Sequence, residues 1–184
     1  MPLGLATKLK KVTLKTLPVY LLGVLLIVAA KPRLDFYVLG LCLVTLGEGL
    51  RIWATGHLQK NQQVTTTGPY AYVKNPLYLG TFLIMVGFCW MANQLLLMVV
   101  GVGLFIFYYV PYKKRRESER LTKLFGPFWL DYETHVPDYF PRWTPYEHQG
   151  KAHWNIQLFL NNSEHETLLV VLLAIVIMSL KAFI

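Results

Sequence analysis

The sequence is short of charged residues. Only 15% of its 184 residues are Asp, Glu, Lys or Arg, and 54% are hydrophobic, whereas a soluble globular domain is about 25% charged. Acidic residues are especially scarce, with 10 against 18 basic ones, so the formal net charge is +8. A basic, apolar chain is typical of a membrane protein rather than a nucleic-acid-binding domain. The composition therefore argues against a water-soluble domain and predicts a membrane, not a nucleic acid, as the partner.

Cysteine is nearly absent. The two cysteines, Cys42 and Cys89, lie inside apolar runs with no Cys or His at ligand spacing. Neither a disulfide framework nor a zinc site is indicated, so we predict no metal in the functional site. Both thiols are expected to pack against neighbouring helices, as free cysteines commonly do.

Long apolar runs dominate the chain instead. Residues 75–112 form a stretch of 38 positions without Asp, Glu, Lys or Arg. A straight helix of that length would measure roughly 57 Å, nearly twice the ~30 Å hydrocarbon core of a bilayer, so we predict a tight helical hairpin that turns at residues 92–94. The sequence as a whole predicts one all-α, polytopic membrane domain over residues 1–184, with about five transmembrane helices at 17–30, 36–54, 77–91, 95–112 and 167–182. The first segment also has features of a cleavable signal peptide, but four further apolar segments follow it.

The basic residues indicate an orientation. If five helices alternate in direction, 15 of the 18 Lys and Arg residues fall on one face, and the other face keeps Lys31, Arg33 and Lys181. The positive-inside rule then places the N terminus and both long polar segments, 55–76 and 113–166, in the cytosol. For a bacterial protein, the membrane would be the inner membrane. The sequence carries no signal for the oligomeric state.

The polar segments contain helix-start signals and an aromatic stretch. Asn75 with Pro76 predicts a capped start of the third span, and residues 163–166 have the capping-box pattern before the last span. Between residues 127 and 145, prolines alternate with aromatic residues, which predicts an interfacial flap anchored by its rings. These rings are Trp129, Tyr132, Tyr139, Phe140 and Trp143.

One acidic residue lies inside a predicted span. Glu48 is flanked by Gly47 and Gly49, and Arg51 follows three residues later. An acid within a membrane helix is a functional candidate by default. A hydrogen bond to a neighbouring helix or an ion pair with Arg51 explains it without a functional role, and we expect one of these.

Two motifs in the polar segments carry a family resemblance. Residues 68–80 read Gly-Pro-Tyr-Ala-Tyr-Val-Lys-Asn-Pro-Leu-Tyr-Leu-Gly, and Gly56-His57-Leu58 precedes them. The second motif contains Glu117, Leu121, Phe125-Gly126, Tyr132 and Val136-Pro137. Over residues 45–145 the chain therefore resembles the isoprenylcysteine carboxyl methyltransferase family of integral membrane methyltransferases, in a bacterial-type form. The tail beyond Tyr146 carries none of this resemblance.

The resemblance implies transfer of a methyl group from S-adenosylmethionine to a lipid or a lipidated small molecule or peptide. The cofactor would enter a cytosolic site, and the acceptor would arrive through the bilayer. Position by position, the implied cofactor-binding residues are His57, Gln59, Val64, Thr65, Tyr70, Asn75, Pro76, Leu77, Tyr78 and Glu117. Lys113 is implied to contact the acceptor carboxylate, and Lys113 and Glu117 are the implied catalytic residues.

The chemistry of the motif segments favours one acceptor class but leaves others open. The two motifs offer no obvious base paired with a nucleophile, which favours an acceptor that arrives ionised, such as the carboxylate of an isoprenylcysteine-like substrate. The alternatives are a phospholipid or small-lipid methyltransferase, an NADPH-dependent membrane reductase of similar architecture, and a non-catalytic membrane protein. Binding of S-adenosylmethionine as against a reduced nicotinamide discriminates between them.

Overall fold

The described part of the chain is mainly helical. The computed structural model describes residues 17–146 and 152–184, and this part contains no β-strand. Its helices are α1 (Leu17–Ala29), α2 (Leu34–Thr55), α3 (Pro76–Met91), α4 (Leu95–Leu104), α5 (Val110–Phe125), α6 (Pro127–His135), α7 (Ile156–Asn161) and α8 (Glu164–Phe183). The predicted all-α class is confirmed. Five basic residues assigned to the cytosolic face lie outside the described residues, namely Lys8, Lys10, Lys11, Lys15 and Lys151.

Within residues 17–146 and 152–184, three helices are long and apolar enough to cross a membrane. They are α2, the continuous helix Leu95–Phe125, and α8. The apolar helices α1 and α3 have 13 and 16 residues, and 16 residues span only about 24 Å at 1.5 Å per residue. All five predicted apolar segments are therefore helical, and three of them reach the length of a span within the part of the chain that the structure describes.

The fourth predicted span continues well beyond residue 112. A π-helical segment, Phe105–Tyr109, joins α4 to α5, so that the basic residues 113–116 extend the membrane helix. Pro111 lacks the N–H that would bond the carbonyl four residues earlier, and its ring crowds that carbonyl. The wider π turn accommodates this mismatch without ending the helix.

The predicted hairpin turn at residues 92–94 is present. Helix α3 ends at Met91, helix α4 begins at Leu95, and Asn93 between them has a positive φ of 53°, which asparagine tolerates. The rings of Phe82 and Phe105 lie 5.5 Å apart, and those of Tyr78 and Tyr109 lie 6.0 Å apart. These pairs show that α3 runs antiparallel to the continuous helix Leu95–Phe125.

Helices α2 and α3 pack through glycine. A Cβ atom added to Gly47 would lie 2.7 Å from the Gly80 carbonyl oxygen, and one added to Gly87 would lie 2.7 Å from the Gly40 carbonyl oxygen. Small residues let helix backbones approach closely in a membrane, where van der Waals packing drives association. This contact sets the first turn of α3 beside the last turns of α2.

A buried ion pair joins the last helix to this pair. Arg51 Nε lies 2.7 Å from Glu164 Oε1, and Arg51 Nη2 donates to Glu164 Oε2 at 3.0 Å. The same guanidinium donates to Thr81 Oγ1 at 2.7 Å. Because Arg51, Thr81 and Glu164 belong to three helices, one side chain fastens α2, α3 and α8 together.

Two expectations for the charged and capping residues near the helix ends are wrong. Arg51 pairs with Glu164 and not with Glu48, which is buried with no partner on either carboxylate oxygen. Ser163 has a φ of 58°, and its side chain makes no capping hydrogen bond to α8. The predicted capping by Ser163 is therefore wrong. A capping serine needs extended backbone angles, and the left-handed turn at Ser163 removes them.

The aromatic segment after α5 is divided between a core and the surface. Trp129 and Tyr132 are buried in a small cluster with Val64, Val136 and Tyr146, so the prediction of an interfacial flap is wrong for these two rings. They pack instead against the loop that follows α2. Phe140 and Trp143, in contrast, are exposed.

The cysteine prediction holds for only one residue. Cys89 is buried in the main core, between α2, α3 and α8, whereas Cys42 is exposed on α2. Cys42 therefore lies on an outward surface of its helix, away from the other helices that were expected to cover it.

The glycine contact predicts that Gly47→Ala destabilises the protein. The added methyl group meets the Gly80 carbonyl, which is backbone and cannot rotate away. Overpacking of this kind costs about 1–3 kcal/mol. Gly49→Ala is the matched control, because a Cβ there has nothing within 4 Å. Thermal melting in detergent should lower the midpoint for Gly47→Ala only, and equal midpoints for both variants would contradict the contact.

The ion pair predicts a larger loss for Glu164→Ala. Removal of one partner leaves the Arg51 charge buried, which costs about 3–5 kcal/mol. Glu119→Ala removes the exposed partner of Arg115, and exposed pairs contribute only about 0–1 kcal/mol. Chemical denaturation of both variants in micelles tests this prediction, and similar effects of the two substitutions would refute it.

Candidate functional site

Several predicted cofactor residues lie in the loop after α2, where hydrogen bonds within the loop hold them. His57 is buried, and its Nδ1 lies 3.1 Å from Thr67 Oγ1, while the Gln59 amide donates to Thr65 Oγ1 at 3.1 Å. Burial, with a smaller effect of His153, lowers the pKa of His57, so its ring is neutral near pH 7. These contacts fix the loop in one conformation.

The next contacts tie this loop to the second motif. Val64 packs in the cluster of Trp129 and Tyr132, and the Tyr132 hydroxyl donates to the Tyr70 carbonyl at 2.8 Å. Tyr70 is itself buried. Burial raises its pKa well above the usual value, and Tyr132 and Glu117 add to the rise. The Tyr70 hydroxyl therefore stays protonated, and the Glu117 charge is near enough to affect its pKa.

A hydrogen bond across the hairpin joins the two motifs directly. Helix α3 begins at Pro76, as predicted, and this start presents Tyr78, whose hydroxyl donates to Glu117 Oε2 at 2.6 Å. The other Glu117 oxygen lies 3.8 Å from Arg120 Nη2, and the Glu117 side chain is 38% exposed. Glu117 is thus oriented by a tyrosine and still accessible to a ligand.

Lys113 lies one step further along the same contacts. Its ammonium is 5.8 Å from the centre of the Tyr109 ring, and Tyr109 packs edge-on against Tyr78. The structure therefore brings both predicted catalytic residues, Lys113 and Glu117, to the start of α3.

Asp138 organises the other side of the site, and the sequence did not point to it. Its carboxylate forms ion pairs with Lys74 at 3.1 Å and with Lys114 at 2.5 Å. The Asn75 amide donates to it at 3.3 Å, so Asn75 does not cap α3 with its side chain as predicted. Burial alone would raise the pKa of Asp138, but the hydrogen bonds from Lys114 and Lys74 hold it below the usual value.

These side chains line a shallow polar groove beside Glu117. Within it, Trp129 Nε1 is a buried donor without a hydrogen-bond partner, and such a donor carries a desolvation penalty unless a ligand accepts its bond. The described residues contain no group of three His, Cys, Asp or Glu that could hold a metal ion. The groove is lined by Lys74, Asn75, Lys114, Glu117, Ser118, Trp129, Glu133 and Asp138.

The tail braces the site although it lies beyond the motifs. Trp154 Nε1 donates to the Ile52 carbonyl at 3.0 Å, and Asn162 Nδ2 donates to the Leu58 carbonyl at 2.9 Å. Glu164 in turn holds Arg51, whose Nη1 approaches the Leu77 carbonyl at 3.5 Å. Of these residues, only Arg51 and Glu164 carried a sequence signal, as charged residues near the ends of apolar segments.

The Asp138 bridge predicts a pH-dependent contribution to stability. Because its pKa in the folded protein is lowered, the bridge is fully present above the ordinary value of 3.8 and is lost as pH falls through the folded value. Asp138→Asn should therefore melt below the unmodified protein at neutral pH, and the difference should shrink in acid. Asp35→Asn is the control for the loss of one carboxylate, because Asp35 lies in the first turn of α2 and the site adjoins the other end of that helix. A difference that does not change with pH would contradict this prediction.

Comparison with known proteins gives three findings. The profile of the family described as phospholipid methyltransferase matches residues 36–127, half of the chain. The cobalt-zinc-cadmium resistance protein CzcN of Cupriavidus metallidurans is 30% identical over 122 residues, which cover 65% of this chain and 53% of that protein. The nickel-cobalt-cadmium resistance protein NccN of Alcaligenes xylosoxydans xylosoxydans is 32% identical over 106 residues, which cover 56% of this chain and 47% of that protein.

The chain thus spans about half the length of each of these relatives. No solved structure matches it. The profile covers α2, α3, α4 and α5, which carry Arg51, Tyr78 and Glu117. On the profile match and the two motifs that Tyr78 and Glu117 join, the chain belongs to the phospholipid methyltransferase family, a family of membrane methyltransferases similar to the isoprenylcysteine carboxyl methyltransferases.

Proposed function

We propose that this protein transfers a methyl group from S-adenosylmethionine to a lipophilic acceptor at the cytosolic face of its membrane. The acceptor group that the site suits best is a carboxylate, as in an isoprenylcysteine. The observation that supports the proposal most strongly is the 2.6 Å bond from Tyr78 to Glu117. It joins residues 39 positions apart, one in each motif, at the start of an apolar helix.

The residues around Glu117 fit the cofactor's charges. When bound, S-adenosylmethionine supplies an electrophilic methyl group on a positively charged sulfonium. The Glu117 carboxylate and the faces of Tyr78 and Tyr109 suit a cation. The unpartnered Trp129 N–H suits the cofactor's own carboxylate. In this proposal the loop residues His57, Gln59, Val64, Thr65 and Tyr70, with Asn75, Pro76 and Leu77, complete the pocket.

The chain's contribution to the reaction is alignment. Methyl transfer is an in-line displacement, and correct orientation of reactants supplies up to about 7–11 kcal/mol of such a barrier. The contacts that fix Glu117 and Tyr70 serve this purpose, because they hold side chains from distant parts of the chain in one geometry. Lys113, beside the Tyr109 ring, would orient an ionised acceptor. Such an acceptor needs no base to activate it.

The family match also favours a second acceptor class. Its description as phospholipid methyltransferase supports a lipid head group as the methyl acceptor. The two classes differ in the acceptor's charge, because a carboxylate is attracted by Lys113 whereas an ammonium head group is repelled by it. The effect of a Lys113 substitution on each acceptor therefore separates them.

Cofactor binding tests the first part of the proposal. Calorimetric titration of detergent-purified protein should show saturable binding of S-adenosylmethionine, weakened roughly tenfold or more in Glu117→Gln, since a hydrogen bond to a charged group contributes about 1.5–3 kcal/mol. Tyr78→Phe should weaken binding in the same direction. Glu119→Gln, on the exposed side of the same helix, should bind normally. Absence of saturable binding would refute the proposal, and binding of a reduced nicotinamide instead would support a reductase.

Acceptor turnover tests the second part. Lys113→Ala should lower methyl incorporation into a prenylated cysteine analogue by roughly tenfold or more, and it should leave the affinity for S-adenosylmethionine unchanged. Lys123→Ala, ten positions further along α5, is the control. Methylation of phosphatidylethanolamine that survives Lys113→Ala would favour the phospholipid class. An effect on cofactor affinity alone would overturn the acceptor role of Lys113.

A further inference from the structure

Two aromatic rings beside the site contact almost nothing in the protein. In the segment that we name the aromatic turn, residues 140–143, Phe140 is 85% exposed and Trp143 is 100% exposed. Three aromatic rings nearby, Trp129, Tyr132 and Tyr146, are in contrast buried. Large aromatic side chains bury extensive apolar surface wherever they find a partner. Two such rings exposed together therefore mark a surface that something else covers.

The backbone of the aromatic turn is fastened to the site. The Arg142 amide donates to the Tyr72 carbonyl at 3.0 Å, and its guanidinium donates to the His135 carbonyl at 3.2 Å. Just before the turn, Asp138 bonds to Lys74 and Lys114. The exposed rings are thus presented by a segment that is bonded to the site just before the turn, at Asp138, and within it, at Arg142.

The aromatic turn lies close to the start of an apolar helix. Its partner Tyr72 lies only four residues before Pro76, where the apolar helix α3 begins. Four residues span at most about 14 Å, and the polar layer on each side of a bilayer is roughly 5–8 Å thick. The turn therefore lies close to the level at which the chain enters the membrane.

Several basic residues belong to the turn or to α5, which Lys114 joins to Asp138 just before the turn. Lys113, Lys114, Arg115 and Arg116 are exposed at the start of α5, and Arg142 lies within the turn itself. Asp138, two residues before the turn, already has two lysine partners. Exposed aromatic rings beside basic residues suit a surface that is apolar below and negatively charged above, which describes a leaflet with anionic lipids.

We propose that the aromatic turn inserts Phe140 and Trp143 into the head-group layer of an anionic bilayer. The segment that carries Asp138 is then fixed to the lipid surface on one side and to the start of α3 on the other. This interaction is separate from the methyl acceptor and does not depend on the identity of the cofactor.

Spin-label accessibility tests the proposal in the full-length protein. Cys42 is replaced by serine, the buried Cys89 is kept, and a label is attached in Trp143→Cys or Phe140→Cys. Gln62→Cys, in the exposed polar loop after α2, is the matched control. In vesicles of phosphatidylcholine with phosphatidylglycerol, we expect labels at 140 and 143 to be relaxed more by oxygen than by a water-soluble nickel chelate. The control label should show the reverse, with a difference of severalfold.

Two results would overturn the proposal. The first is nickel accessibility at position 143 equal to that at position 62, which would place the turn in water. The second is shielding from nickel accompanied by dipolar broadening between labels on two molecules, which would make a second copy of the chain the occupant. Because Trp143 is fully exposed, its replacement removes no packing, and melting of the labelled protein checks that the fold is kept. Phosphatidylglycerol should shield the label at 143 from nickel more than pure phosphatidylcholine does, and in Arg142→Gln this difference between the two kinds of vesicle should disappear. An unchanged difference in nickel accessibility would count against the anionic surface.

Discussion

The buried pair of Arg51 and Glu164 is the interaction on which the rest of the structure depends. A charge within an apolar helix bundle is costly unless it is paired and hydrogen-bonded, so one contact constrains the positions of both helix ends. Arg51 also bonds Thr81 of α3, beside the glycine contact between α2 and α3. The register of three helices, and with it the height of the first turn of α3, follows from these bonds.

The site depends on that height. Tyr78 can reach Glu117 only if the first turn of α3 lies level with the second turn of α5, and the continuous helix Leu95–Phe125 carries Glu117 there. Asp138 then closes the opposite side through Lys74, Lys114 and Asn75. A reaction that relies on orientation more than on acid–base chemistry is well served by residues held from several directions.

Local features of the sequence predicted the elements well. The hairpin turn at residues 92–94 followed from the limit that a bilayer sets on helix length, and the start of α3 at Pro76 followed from the preference of proline for the first helical turn. The side-chain partners were less predictable. Asn75 and Ser163 both precede a helix as expected, but neither caps it, because Asn75 bonds Asp138 and Ser163 adopts a left-handed backbone.

The sequence by itself determined that the chain is an all-helical membrane protein and which polar residues form its two motifs, because hydropathy and motif spacing are local properties. Only the tertiary structure decided that Arg51 meets Glu164 across 113 positions and not Glu48 three positions away. It also decided that Trp129 is buried while Trp143 is exposed. Each of these outcomes depends on which helices pack together, and residue type or local spacing carries no information about that.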